Sequence, residues 1–164
     1  MKNKRILAID PGTRFLGYAL LEDHDLIHFG VKTIPYTKEK RKMVSMGRKI
    51  ILRLIADYRP EILIVEKTFF GGIKGSVWLN IFVRLIQCLG KQQGLQVLSI
   101  AANSVRKVVC RNGSASKEEV AQAIVLRFPE LKPYLFSERR WQAKFHFNLF
   151  DAVALAVVAQ DNLK

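Results

Sequence analysis

The strongest constraint on the fold is the spacing of five short apolar runs rich in β-forming residues. Ile6 to Asp10, Phe15 to Leu21 and Leu26 to Thr33 follow one another across linkers of a few residues. Parallel neighbours need a crossover of about a dozen residues or more, so these three predict an antiparallel meander. Pro11-Gly12 marks the first turn, and Asp23-His24-Asp25 surrounds the second. Next come Met43, Met46, Ile50, Leu54 and Ile55 at intervals of three and four, with Lys and Arg between them: an amphipathic helix. Tyr58-Arg59-Pro60 ends it, because proline disfavours helix in the residue before it. Ile62 to Val65 is then a buried strand that follows a helix, which predicts a parallel crossover.

Phe69 to Gly75 is a glycine-bearing loop. Val77 to Gln92 reads as a helix with Trp78, Ile81, Phe82, Leu85, Ile86 and Leu89 on a wide apolar face, and Leu95 to Ile100 as the fifth strand. Asn103 is the predicted cap of a short helix through Val109, and Ser116 with Glu119 forms a capping-box signature. Phe128 to Lys144 is a polar, basic stretch with interleaved aromatics, read as a loop, and a last helix is predicted from about Asn148 to Gln160. There is no internal repeat. The whole order predicts one α/β domain over residues 1–164, a mixed five-stranded sheet flanked by helices, which is the order of a ribonuclease H-like fold. The actin-like fold shares the opening but needs two such halves. That, and the want of a further glycine-rich phosphate loop, disfavours an actin-like phosphotransferase.

Lys and Arg number 27 against 14 Asp and Glu, a formal net charge of +13. A field of that sign gathers polyanions, and counterion release makes nucleic acid the natural partner. Cys88 and Cys110 lack any short paired spacing, which disfavours a zinc module or disulfide scaffold and fits a reducing compartment. The basic start MKNKR precedes too short an apolar run for a secretory signal, and no stretch approaches membrane-spanning length. A cytoplasmic protein is expected.

Three acids stand at the ends of apolar elements: Asp10 after the first strand, Glu66 after the fourth, and Asp151 near the start of the last helix. Each alone reads better as a helix cap or as the partner of one of the many cations. Together, and in so basic a chain, they point to chemistry, because desolvating unpaired carboxylates costs several kcal/mol. A divalent cation would supply the partner. Magnesium prefers carboxylate oxygen and retains waters, so a few converging acids suffice; manganese is a plausible substitute. Two such ions about 4 Å apart can activate a water and stabilise the leaving oxygen of a phosphodiester.

These motifs resemble those of RuvC-type Holliday junction resolvases within the ribonuclease H-like superfamily. Ile6-Leu7-Ala8-Ile9-Asp10-Pro11-Gly12-Thr13, with Gly17 shortly after, is similar to the family's opening. Ile64-Val65-Glu66-Lys67-Thr68-Phe69 resembles its second motif, Gly113-Ser114-Ala115-Ser116-Lys117 a stretch before a helix, and Asp151-Ala152-Val153-Ala154-Leu155-Ala156 its carboxy-terminal metal motif. The matches run in family order across nearly the whole chain. The resemblance implies that Asp10, Glu66 and Asp151 are catalytic metal ligands for two magnesium ions. It implies that Phe69 enters a branched DNA junction and stacks on an unpaired base, and that Lys117 contacts phosphate near the scissile bond. Arg106, Lys107 and Arg111 lie near the family's other basic position. A homodimer is implied too, since symmetric cleavage of a four-way junction needs two active sites, and the apolar helix from Val77 to Leu89 is the candidate interface. Any branch-migration helicase partner stays open.

One position departs from the pattern. Where the family carries a fourth metal residue, aspartate or histidine, three places before the last acid, this chain has Asn148. Three residues apart on a helix are neighbours, so Asn148 and Asp151 share a face. An amide oxygen can ligate a cation but brings no formal charge. His146 becomes a further candidate ligand or proton shuttle if the helix begins later than about Asn148, so that the preceding turn brings it inward, whereas His24 and His28 have no acids at metal spacing. Arg139-Arg140-Trp141-Gln142-Ala143-Lys144 mixes cations with an aromatic and reads as a DNA-backbone surface. The expected function is metal-dependent hydrolysis of branched DNA. A related RNA-processing nuclease and a junction-binding protein weakened in catalysis are the alternatives.

Overall fold

The computed structural model describes residues 4–12, 14–67, 74–135 and 140–162, with the side chains of 74–76 and 140–144 outside that description. Three strands, β1 (Arg5–Asp10), β2 (Phe15–Glu22) and β3 (Asp25–Thr33), form the meander. β1 and β2 pair antiparallel from Arg5 opposite Glu22 to Asp10 opposite Gly17, and Asp23 takes a left-handed conformation (φ 54°) in the turn to β3. Helix α1 (Lys40–Tyr58) follows and stops at Arg59, which swings to φ 47° and donates its N–H to the Ile55 carbonyl, just before Pro60. β4 (Ile62–Lys67) then runs parallel to β1, helix α2 spans Lys74–Gln92, and β5 (Gln96–Ala101) pairs parallel with β4. The sheet order is β3-β2-β1-β4-β5, the mixed five-stranded arrangement expected from the spacing of the apolar runs.

Strand alternation divides the core into two layers. Ile6, Ala8, Ala19, Leu21, Ile62 and Ile64 face helices on one side, chiefly the carboxy-terminal helix α6 (Arg140–Asn162) and α4 (Lys117–Arg127). Leu7, Ile9, Leu16, Tyr18, Leu63 and Val65 face α1 and α2 on the other. Asp10 and Glu66 share the parity of Ile6, Ala8, Ile62 and Ile64. Because Ile9 is level with Val65, the two acids emerge side by side at the carboxyl ends of parallel strands, on the α6 face.

Three local expectations fail. Asn103 lies inside helix α3 (Ala102–Cys110), whose N-cap is Ala101 without a side-chain hydrogen bond; the Asn103 Oδ1 instead accepts from the Ser104 N–H at 2.9 Å. The strand runs directly into the helix, so no residue was left over for a polar cap. Residues read as a loop after Phe128 hold a 3-10 turn (Pro129–Leu131) and short helix α5 (Lys132–Leu135), and α6 begins at Arg140, eight residues earlier than expected. Aromatics, His and Asn are indifferent helix formers. Tertiary packing compensates: Phe145 meets Phe15 edge-on at 5.3 Å, and His146 meets Tyr134 edge-on at 5.5 Å. Helix α2 likewise starts three residues before Val77 and takes in Lys74 and Gly75. The rest of the expected glycine-bearing loop, including Phe69, lies outside the described residues, as does Arg139.

Candidate active site

Ser116 fixes the first turn of α4. Its hydroxyl accepts from the Glu119 N–H at 3.1 Å, while the Glu119 carboxylate accepts from the Ser116 N–H at 2.7 Å, completing the predicted capping box. That cap aims the next residue, Lys117, at α6, where its Nζ donates to Asp151 Oδ2 at 2.7 Å. The same ammonium lies 6.0 Å from the centre of the Phe147 ring, a cation–π contact.

Helix α6 reaches this position because Gly17 lets it. A Cβ on Gly17 would fall 1.9 Å from the Asn148 carbonyl oxygen, inside any permissible contact. Gly17 is the register partner of Asp10. The missing side chain therefore allows α6 to touch the sheet at the level of the first acid, and Asp151 follows one turn later on the face that carries Asn148.

The result is a cavity of about 210 Å³ that gathers Asp10, Glu66, Arg106, Lys117, Asn148 and Asp151. Leu79, Val105 and Val120 supply apolar walls. Burial, then the charges of Asp151 and Glu66, hold the Asp10 carboxyl well above the usual carboxylate range, with Lys117 opposing. Burial followed by Asp151 also raises Glu66, against the pull of Lys117 and Arg106. Desolvation alone would lower the Lys117 ammonium, but its ion pair with Asp151, backed by Asp10 and Glu66, turns the net shift upward. The arrangement is a surplus of negative charge in a half-dry pocket, partly relieved by the Lys117 ammonium and the Arg106 guanidinium.

That donor set fits a hard divalent cation. Three carboxylates and an amide offer oxygen alone, and Lys117 already occupies the cationic role beside Asp151. Among the described residues, no three His, Cys, Asp or Glu side chains close into a ready-made cage.

The other sequence candidates divide. Lys107 and Arg111 are exposed on and just after α3 and do not line the cavity; Arg111 ends that helix at φ 56°. Arg140 is in the first turn of α6, helix rather than loop, with its side chain outside the description. His146 does not line the cavity. Its placement inside α6 turns it toward Tyr134 and Phe145, its Nδ1 is buried without a partner, and desolvation lowers its pKa against a backbone hydrogen bond at Tyr134. The premise for its role, a helix starting later than about Asn148, is not met, since α6 starts at Arg140. Phe147, beneath Lys117, was missed as a site residue; its place directly before Asn148 was the available signal.

The family model for crossover junction endodeoxyribonuclease RuvC matches residues 6–158. The RuvC of Geotalea uraniireducens is 32% identical over 134 residues, covering 77% of this chain and 78% of that protein. The Thermus thermophilus RuvC structure superposes with a TM-score of 0.75 at 22% identity, covering 97% of this chain and 95% of that one. The T. thermophilus RuvC in complex with Holliday junction substrate gives 0.74 at 21% identity, over 98% and 95%. The ribonuclease H-like fold, the order of its acids and the family match converge, and the chain belongs to the RuvC family of crossover junction endodeoxyribonucleases, the nucleases that resolve Holliday junctions.

Proposed function

We propose that Asp10, Glu66 and Asp151 hold two magnesium ions, with Asn148 as a neutral fourth oxygen donor, and that the chain uses them to cut four-way DNA junctions symmetrically. The observation that carries this reading is the meeting of three acids from β1, β4 and α6 with Lys117 in one cavity. Bound divalent ions supply an activated water and neutralise the leaving 3′ oxygen. The protein's own part is positional. The paired strand ends fix Asp10 beside Glu66, and Gly17 sets the height of Asp151 over both. Lys117 exchanges Asp151 for a non-bridging oxygen of the scissile phosphate, and Arg106 steadies the adjoining phosphate. Lys107, Arg111, Arg139 and Arg140 extend the basic track along the duplex arms, and Phe69 stacks on a base at the crossover.

Two active sites imply two subunits. Val77 and Ile81 on α2 are 59% and 39% exposed, large apolar side chains with solvent on one face, and a twofold contact through them is the proposed dimer. Among the described residues no helix is long and apolar enough to cross a membrane, and both cysteines are free thiols, which supports a cytoplasmic setting. Asn148 favours one second reading: a junction-binding protein whose catalysis is weakened by the lost charge.

The deciding experiment is cleavage of a labelled synthetic four-way junction with magnesium, manganese or EDTA, beside Asp10→Asn and Asn148→Asp. Paired symmetric nicks that need metal and Asp10 establish the resolvase, and Asn148→Asp should then tighten metal binding. Tight binding without any cut, rescued by Asn148→Asp, establishes the second reading instead. Cutting that survives both EDTA and Asp10→Asn would sink the proposed chemistry.

A further inference from the structure

A second cavity opens on the opposite face of the sheet from the acids. It measures about 280 Å³ and is bounded by Arg14, Tyr36, Lys38, Lys40, Trp78 and Phe82. Phe82, with Met43 and Ile34, belongs to a small buried cluster that gives it a firm apolar floor. Tyr36 stands 70% exposed at the rim. A large aromatic in that position gains little stability from burial, yet the cavity gives it a surface to share with a ligand.

The cations beside it are placed against the helix they begin. Lys40, Arg41 and Lys42 fill the first turn of α1, which holds no acid, and its N-cap Glu39 makes no side-chain cap. Positive charge at a helix N-terminus opposes the macrodipole, so this sequence weakens its own helix there. Lys42 is offset by Glu39 at 2.7 Å. Lys40 is turned over Trp78, its Nζ 5.4 Å from the ring centre. A phosphate at this point would relieve the clash, meeting uncapped helix N–H groups and lysine together. An aromatic recess of this size, next to a phosphate seat, matches one nucleotide. It falls slightly below the ~300–1,000 Å³ of ordinary small-molecule pockets and is too small for a duplex.

One short turn supplies a residue to each cavity. Arg14 bounds the recess, and Pro11 lines the catalytic cavity beside Asp10, in the same turn between β1 and β2. The Arg14 carbonyl accepts from the Ile34 N–H at 2.7 Å, which ties that turn to the segment bearing Tyr36 and leading into α1.

We propose that this recess captures a single unpaired base of the junction against Tyr36 and Trp78, with its phosphate at the start of α1, as a binding site separate from the carboxylates and from Phe69. The inference rests on the junction-binding reading above, not on its metal chemistry. Trp78 is its own reporter once the chain's other tryptophan is replaced by Trp141→Phe. In that background, a four-way junction added in EDTA should quench Trp78 emission. Tyr36→Ala should weaken junction binding about tenfold in fluorescence anisotropy, the size of one lost base–aromatic stack, and Lys40→Ala should weaken it and flatten its salt dependence through the lost phosphate contact. Tyr36 and Lys40 are exposed, so neither change threatens folding. Intact binding and cleavage with silent Trp78 and unaltered variant affinity would overturn the recess alone. The junction is added to preformed dimer at fixed protein concentration, because Trp78 also borders the groove of Val77 and Ile81 proposed as the twofold contact; quenching already complete before any DNA is added would assign the recess to the second copy and overturn it. Quenching with no cleavage at any metal concentration would support the recess and strike only the catalytic reading.

Discussion

Gly17→Ala tests whether the height of α6 over the sheet controls catalysis. Elsewhere in a strand, alanine would be the better residue, because glycine costs roughly 0.5–1 kcal/mol in chain entropy. Here the new Cβ would sit 1.9 Å from the Asn148 carbonyl oxygen and 2.4 Å from its carbon. Both atoms are backbone, so no rotamer change relieves them. Opening the shorter contact to 3.0 Å, below which real Cβ atoms are essentially never found, separates β2 from α6 by about 1.1 Å. Asp151 lies three residues along the helix, about 4.5 Å down the axis. A rigid helix therefore carries its carboxylate away from Asp10 and Glu66 by nearly the full amount. Misplacement on that scale costs on the order of 10²-fold in rate, while overpacking costs roughly 1–3 kcal/mol of stability.

The assay is single-turnover cleavage of a four-way junction, run beside thermal unfolding. Gly90→Ala is the control for mere destabilisation. Its Cβ also meets close atoms, Leu63 Cδ2 at 2.6 Å and Val97 Cγ2 at 2.8 Å, but these are side-chain ends on the α2 face, away from the acids. Gly90→Ala should lose stability and keep its cutting rate within about threefold, whereas Gly17→Ala should lose about a hundredfold while still folded. Near-normal cutting by folded Gly17→Ala, or an equal loss in both variants, would refute the argument.

Two further outcomes follow from the electrostatics. The Asp10 carboxyl is raised above its ordinary value of 3.8 in the folded state, so the native protein binds that proton more tightly than the unfolded chain. Its contribution to stability is therefore fullest at acid pH and is lost as pH rises from the unfolded value through the folded one. Asp10→Asn, neutral at every pH, should melt higher than the parent in EDTA at pH 7–8, with the gap closing toward pH 4, though it should not cut; a gap independent of pH would contradict the burial of this acid. Lys117→Met removes the ammonium that lowers both Asp10 and Glu66. In EDTA at neutral pH it should melt lower than the parent, and with metal its cleavage should drop by about 10²–10³-fold; unchanged melting would mean that the pair with Asp151 is not held in solution.

How far the sequence reveals this site depends on the range of the contacts involved. Strands β1, β2 and β4 were legible because burial on both faces writes continuous apolar runs, and the acids because each interrupts such a run where a carboxylate is poorly solvated. Ser116 was legible because a capping box spans only four residues. The start of α6 was not, since Phe145, His146 and Phe147 carry no strong helical preference and are held by Phe15 and Tyr134 from elsewhere in the chain. The error moved His146 from a hypothetical preceding turn to a packed face. The pairing of Lys117 with Asp151, 34 residues apart, leaves no periodic trace either. From sequence, Lys117 had only its resemblance to speak for it, because a cation in a first helical turn gains nothing from the dipole. Its reason for being there lies on α6.

The surplus charge also dictates an order of binding. With Asp10, Glu66 and Asp151 ionised, Lys117 and Arg106 still leave the lining of the cavity one charge negative, inside a chain whose net charge is +13. The molecule as a whole draws DNA in, while the point where the phosphodiester must sit repels it. A scissile phosphate brought there makes the local excess worse and competes with Asp151 for Lys117. Divalent cations remove both obstacles, so junction and metal should each raise the other's affinity, by the same factor in either direction. Manganese titrated into the protein alone and into its complex with a junction whose scissile 3′ oxygen is replaced by methylene, which cannot leave, measures one direction. Junction affinity with and without metal measures the other. A coupling of about 5–150-fold is the ordinary range for such linkage. Equal manganese affinity in both titrations would mean that the phosphate never enters the cluster of acids, and that DNA bound by the basic surface stops short of the residues that cut it.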